Sequence, residues 1–222
     1  MGDNRISIQH SFTSLKQFDD CPEAMRSIYV LKRYKKTYTP AITGGIDEHR
    51  ALEQRIRYHQ LLPEQIARAE SLVRSLEQAG KIEVELSLAV ARDMTPIGFW
   101  DGWLRGKYDV VTRWSADRRA FIGDWKTGKV REASDQLEIG AMLLMANDPA
   151  IDSVTGANLW LQTNSPGIPY TFHRRNLESL WLKWSRRMLT IESTDLSEPW
   201  ERRESGLCGY CPVQDCPHYR GG

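Results

Sequence analysis

The sequence predicts a single domain of mixed α/β class, and three observations carry that prediction. Residues 1–80 read as helices ending at Gly80, the pattern switches at Lys81 to the two-residue period of a strand, and helical spacing then returns twice among further strands. With 222 residues and 41% hydrophobic side chains, the chain can bury one sizeable core and is short for two.

The elements follow in order. Ser11 or Ser14 can cap a first helix, and Leu15, Phe18, Met25, Ile28, Tyr29 and Leu31 recur at roughly helical spacing. A break near Cys21-Pro22 makes this two short helices with a kink. Lys32 to Lys36 runs into a loop at Thr39-Pro40, Gly44-Gly45 precedes a charged helix through His59, and Pro63 starts a helix that Gly80 stops. In the next segment Ile82, Val84, Leu86 and Leu88 alternate with polar residues, as in a half-buried strand. Trp103 to Val111 and Ala120 to Trp125 read as two more strands, joined through the polar turn Trp114 to Arg119 into an antiparallel pair. A helix over Gln136 to Ala146, strands at Val154 to Gln162 and near Tyr170 to His173, and a helix from Leu177 to about Ile191 complete the core. Beyond Pro199 lies a cysteine-rich loop.

Net charge is +1, so attraction to a polyanion would have to come from a local patch. No apolar run approaches the ~18–20 residues that span a bilayer, and no signal-peptide core follows Met1 to Arg5, so a soluble cytoplasmic protein is expected. In that setting the four cysteines are metal ligands or buried thiols rather than disulfides.

The chemistry is concentrated on two neighbouring strands. Gly106-Lys107-Tyr108-Asp109 ends in an acid near the middle of one strand, and Asp124-Trp125-Lys126 places an acid and a lysine at the end of the next. Residues two apart on an extended chain share a face, so Asp124 and Lys126 point together, and hairpin pairing can set Asp109 beside Asp124. Adjacent carboxylates repel unless a cation lies between them, and hard cations such as Mg²⁺ take oxygen ligands. A lysine beside them can hold an attacking water or offset charge on a phosphoryl group. Taken alone, an Asp-x-Lys triplet also fits solvated charges at strand ends.

These motifs resemble the RecB-like PD-(D/E)XK nucleases, especially the CRISPR-associated adaptation exonucleases and the nuclease domains of AddAB-type helicase-nucleases. The likeness runs in order through Gly45 to His49, Gly106 to Asp109, Asp124 to Lys126, and Gln136 at the start of the following helix. The opening Ser11 to Leu15 leading into Cys21-Pro22 is similar as well. The resemblance implies a restriction-endonuclease-like fold, a mixed sheet flanked by helices. It further implies Asp109, Asp124, Lys126 and Gln136 in catalysis, with His49, Asp109, Asp124 and the carbonyl of Trp125 holding Mg²⁺ or Mn²⁺. One departure is Gly140, where the family's last helix usually carries tyrosine four residues after the glutamine. Glu85 is either an accessory acid or a residue of an exposed strand face.

Cys208, Cys211 and Cys216 form C-x₂-C-x₄-C, with Cys21 far away in sequence. In the resembled nucleases one N-terminal and three C-terminal cysteines hold a [4Fe-4S] cluster, which four thiolates suit. Four thiolates equally complete a structural zinc site, and His218 could replace Cys21 there. Lys32 to Lys36, Lys126 to Arg131, Arg174-Arg175 and Lys183 to Arg187, with Tyr34, Trp181 and Trp184, could bind a strand or simply be solvated faces over core tryptophans. For Leu177 to Ile191 the second reading fits better, because Leu177, Leu180, Trp181, Trp184 and Met188 form one stripe.

The expectation is therefore one nuclease domain over 1–222, with a helical N-terminal segment over 1–80, a catalytic core over 81–173 and a C-terminal helix and cluster tail over 174–222. Its expected activity is metal-dependent exonucleolytic hydrolysis of single-stranded DNA or duplex ends, with a helicase or an adaptation-complex protein as partner. The competing expectation is a non-catalytic DNA-binding or assembly module; a redox role for the cysteines leaves the aspartates unexplained.

Overall fold

The computed structural model describes residues 8–35, 40–130 and 134–221, with the side chains of 40 and 41 excluded. The opening Met1 to Arg5, and the basic residues Lys36 and Arg131, lie outside the described residues, as does Thr39.

Helix α1 (Phe12–Asp20) is capped by Ser11, whose hydroxyl accepts from the Ser14 amide while the Ser14 hydroxyl accepts from the Ser11 amide. Proline at 22 restricts Cys21 to extended backbone, so the chain kinks there before α2 (Pro22–Met25) and a π-helical turn over Arg26–Val30. Helix α3 (Pro40–Tyr58) departs from the expectation: it begins before Gly44-Gly45 and carries both glycines inside. Two interior glycines cost about 2 kcal/mol of helix propensity. Gly45 has a tertiary reason, since a β-carbon there would meet Thr127 Oγ1 at 3.1 Å. A 3₁₀ turn (Glu64–Ala69) leads into α4 (Glu70–Ala79), which stops at Gly80.

Strands β1 (Lys81–Val90), β2 (Leu104–Trp114) and β3 (Arg119–Lys126) form an antiparallel meander. Helix α5 (Asp135–Asn147) then carries the chain over to β4 (Ser153–Trp160), which lies parallel to β3. The two-residue β5 (Ser165–Pro166) and β6 (Tyr170–His173) both pair antiparallel with β4, and α6 (Leu177–Glu192) closes the core. This is a six-stranded mixed sheet with helices on both faces. Only the short β5 had no counterpart in the sequence pattern.

One core lies under α5 and α6, where Leu104, Tyr108, Ile122, Met142, Trp184 and Met188 meet. A second lies under α3 and α4, built from Leu52, Ile66 and Val73 against Val84, Val110, Trp125 and Leu159. Ile82 and Val84 serve the second core, whereas Leu86, Leu88 and Val90 serve the first, although all are spaced by two. Strand β2 makes the same exchange between Val110 and Tyr108. Both strands therefore reverse faces between the pairs Val84↔Val110 and Leu86↔Tyr108, the step that contains Glu85 and Asp109. Glu85 has φ 56°, a left-handed conformation costing about 1–3 kcal/mol, and this is the local cause of the reversal. The expected half-buried β1 is thus two half-strands buried on opposite faces.

The end of α6 is fixed by Glu192, which accepts from Trp103 Nε1 at 2.7 Å and from Arg92 at 2.7 Å, with His10 Nε2 at 3.3 Å. The stripe of α6 lies as expected, with Leu177, Trp184 and Met188 buried and Leu180 and Trp181 packed against the same core. Among the described residues no helix is long and apolar enough to cross a membrane.

Candidate active site

At the face reversal the sheet presents its acids. Asp109 Oδ2 accepts the Trp125 amide at 2.8 Å, which ties the middle of β2 to the end of β3. Its other oxygen lies 3.4 Å from His49 Nδ1 on α3. Asp124 Oδ1 accepts from the Gln136 side-chain amide at 2.5 Å, and the Gln136 carbonyl accepts from Lys126 Nζ at 3.0 Å. Gln136 stands in the first turn of α5, so the helix start bridges the acid and the lysine of β3. The Lys126 ammonium also makes an ionic contact with Asp124 Oδ2. The structure therefore brings His49, Asp109, Asp124, Lys126, Gln136 and the Trp125 backbone together.

Asp124 is only 8% exposed. Burial pushes its carboxyl from the ordinary 3.8 up to about 6, with the Lys126 charge opposing the rise and Asp109 adding to it. Burial alone would lower the His49 pKa, but its hydrogen bond to Asp109, the Asp109 charge and the more distant Asp124 outweigh that and raise it. The His49 imidazole and the Asp124 carboxyl are thus both shifted toward their protonated forms.

Asp124 Oδ2 is buried and has no hydrogen-bond partner, so the Lys126 contact is charge without aligned donation. A buried carboxylate oxygen in that state, beside a second carboxylate and an imidazole, suits a hard divalent cation. As they stand, no three His, Cys, Asp or Glu side chains among the described residues are gathered closely enough to hold an ion.

A cleft of about 670 Å³ opens in front of Asp109 and His49. Its wall on α3 is Ile42, Ile46, His49 and Glu53, one stripe at helical spacing, and Glu85, Lys107 and Thr127 face it from the strands. Ile42 and Ile46 are 46% and 41% exposed. That stripe was present in the sequence as apolar residues one and two turns before the histidine. Glu85 faces the cleft and pairs with Lys107, so it belongs to the site's rim rather than to a plain exposed strand.

The departure at Gly140 has a packing cause. A β-carbon at Gly140 would lie 2.7 Å from Tyr108 Cε1 and 3.2 Å from Ile122 Cδ1, because the Tyr108 ring from β2 fills that space. Tyr108 is 5% exposed, and burial first, then the Asp124 charge, raises its hydroxyl pKa.

The four cysteines are free thiols lining a separate cavity of about 210 Å³ between α1–α2 and the tail. Burial raises the Cys211 pKa, and Cys21, Cys216 and Cys208 add to it, so the four groups are within electrostatic reach of one another. His218 lines the same cavity, its Nδ1 3.6 Å from Glu204. The tail is stitched to the Cys21 region: the Trp200 amide donates to the Glu23 carboxylate at 2.7 Å, the Glu23 amide donates to Glu201 O, and Arg203 donates to Asp19 O.

Two of the four basic stretches hold residues that serve packing. Arg174 donates to three backbone carbonyls, Lys183 pairs with Glu138, Arg187 with Asp19, and Trp184 is 1% exposed with its indole N–H on Glu138. The Tyr34 hydroxyl is engaged by Asp215. Lys129 stays exposed in the loop after Lys126.

A family model described as the PD-(D/E)XK nuclease superfamily matches residues 9–216. Among solved structures, a chain from Eubacterium rectale named "putative exonuclease" is 12% identical, covers 97% of this chain and 89% of its own, and has a TM-score of 0.51. Another, SSO0001, is 12% identical over 100% of this chain and 89% of its own, with a TM-score of 0.46. At such identity the first speaks to the fold alone, and the second supports no comparison. No curated protein matches the sequence.

Proposed function

We propose that this chain, which belongs to the PD-(D/E)XK nuclease superfamily, is a metal-dependent DNA exonuclease of its RecB-like branch, with 1–222 forming one nuclease domain. The observation that carries the reading is the buried Asp124 carboxylate, which is set among a second carboxylate, Asp109, and His49, Lys126 and Gln136. A non-catalytic DNA-binding module gains nothing from a buried, proton-hungry carboxylate beside a second one.

His49, Asp109 and Asp124, with the Trp125 carbonyl, would hold Mg²⁺ or Mn²⁺, and the ion would polarise the scissile phosphate. Asp109 is oriented by the Trp125 amide and His49, and Asp124 by Gln136. Lys126, whose ammonium donates to the Gln136 carbonyl, would hold the attacking water. The cleft before Asp109 suits a single strand or a frayed duplex end.

Cys21, Cys208, Cys211 and Cys216 would hold a [4Fe-4S] cluster that joins α1–α2 to the tail; zinc on the same thiolates is the alternative. Their shared cavity supports ligation. A helicase or an adaptation-complex protein would supply the DNA end.

The test is release of end-labelled nucleotides from single-stranded DNA with Mn²⁺ and with chelator. Wild type should cut only with metal, and Lys126→Ala and Asp109→Ala should lose at least ~100-fold while melting cooperatively. Wild-type rates in either variant, or no cutting by wild type under any metal, would remove the proposal.

A further inference from the structure

Lys107 and Arg105 alternate with Tyr108 and Gly106 on β2, and Lys107 lines the same cleft as Asp109. Theirs is the outer face of the β1–β2 ribbon beyond the reversal, where Ser87 and Lys107 are exposed. At the ribbon's tip the connecting loop folds back over Ala89, its Ile97 amide donating to Ala89 O. There the Arg105 guanidinium lies 4.9 Å from the Phe99 ring centre and 5.1 Å from that of Trp100. The two rings meet edge to face at 5.2 Å. Trp100's backbone is held, since its carbonyl accepts from the Gln9 side chain, yet the residue is 75% exposed. A fixed backbone carrying an open indole is a stacking platform without an occupant from the described residues.

We propose that this face is a track for single-stranded DNA, running from Asp109 past Lys107 and Arg105 to a base-stacking station at Trp100. The inference rests on the nuclease reading and adds a substrate-binding surface to it. The occupant follows from chemistry: cations for phosphates, an exposed aromatic for a base, and direct continuity with the cleft at Asp109. Glu85 is already answered by Lys107, whose side chain remains 55% exposed, and the loop carries two acids, Asp93, which accepts from the Thr95 amide, and Asp101 beside Trp100. Four strand residues from Asp109 to Arg105 span ~13 Å, or roughly four stacked nucleotides at ~3.4 Å each. Even fully extended, a dinucleotide is shorter than that and cannot touch Trp100 while its end lies at Asp109.

The experiment is fluorescence anisotropy with labelled oligo(dT) of about two and about ten nucleotides in chelator, paired with metal-dependent cleavage of the same strands. Trp100→Ala should weaken binding of the longer strand about 10-fold or more and raise its KM at unchanged kcat, leaving the short strand unaffected. Trp100→Phe should restore most of the loss, which a folding defect would not allow. Lys107→Ala should lower the slope of log affinity against log salt by about 0.7. If wild type cuts DNA and Trp100→Ala matches it at both lengths, the track is wrong while the nuclease reading stands, as when this face instead docks a protein. If wild type neither binds nor cuts DNA, the nuclease reading fails and the track with it.

Discussion

Replacing Asp124 with asparagine should make the metal-free protein relatively more stable as pH rises. In the fold the carboxyl titrates at about 6, whereas in the unfolded chain it titrates near 3.8, so between those values the native state holds a proton that the unfolded state has released. A raised carboxylate pKa means stability is fully present below about 3.8 and is lost as pH climbs through about 6. The whole gap is worth roughly 3 kcal/mol, and the share lost between about pH 5 and about pH 8 is on the order of 1 kcal/mol. The asparagine of Asp124→Asn has no charge to lose and keeps an acceptor for Gln136. The stability difference, variant minus wild type, should therefore grow by about 1 kcal/mol across that range, or about 2–4 °C in Tm. His49 is present in both proteins, and the share of its raised pKa that comes from Asp124 has the same sign. Urea melts in chelator at several pH values measure the difference directly. Parallel stability curves for the two proteins would refute the claim that Asp124 is held against its charge.

The remaining predictions concern the scaffold. Glu192→Ala should cost about 3 kcal/mol, because the buried Trp103 indole N–H and His10 lose their acceptor, while Glu192→Gln should cost clearly less; denaturant unfolding compares them. Gly140→Ala should destabilise by about 1–3 kcal/mol through the Tyr108 ring, and Tyr108→Phe should not relieve it, since the contact is with the ring carbon. Anaerobically purified protein should carry about four irons, and Cys21→Ala should lose them and melt at lower temperature; one zinc and no iron, or a Cys21→Ala protein that keeps its metal, would discard the four-cysteine cluster.

Much of this protein is set by local pattern. The kink at Cys21-Pro22 follows from proline's demands on its neighbour, α6 from a stripe at helical spacing, and the β2–β3 hairpin from two apolar runs around a polar turn. The placement of Asp124, Lys126 and Gln136 follows likewise, because alternation and a helix start fix where such side chains can point. Other features are decided only when segments distant in sequence meet. Glycines 44 and 45 look like a helix boundary until Thr127 comes close enough to require a missing side chain. Gly140 looks like a lost tyrosine until the Tyr108 ring is found in its space. The alternation of β1 is real, yet which face each residue buries depends on the reversal at Glu85, a left-handed residue that no period of two can announce. The raised pKa of Asp124 belongs to the same class: burial and neighbouring charge come from helices and strands remote in sequence, so the residue's chemistry is a property of the assembled fold.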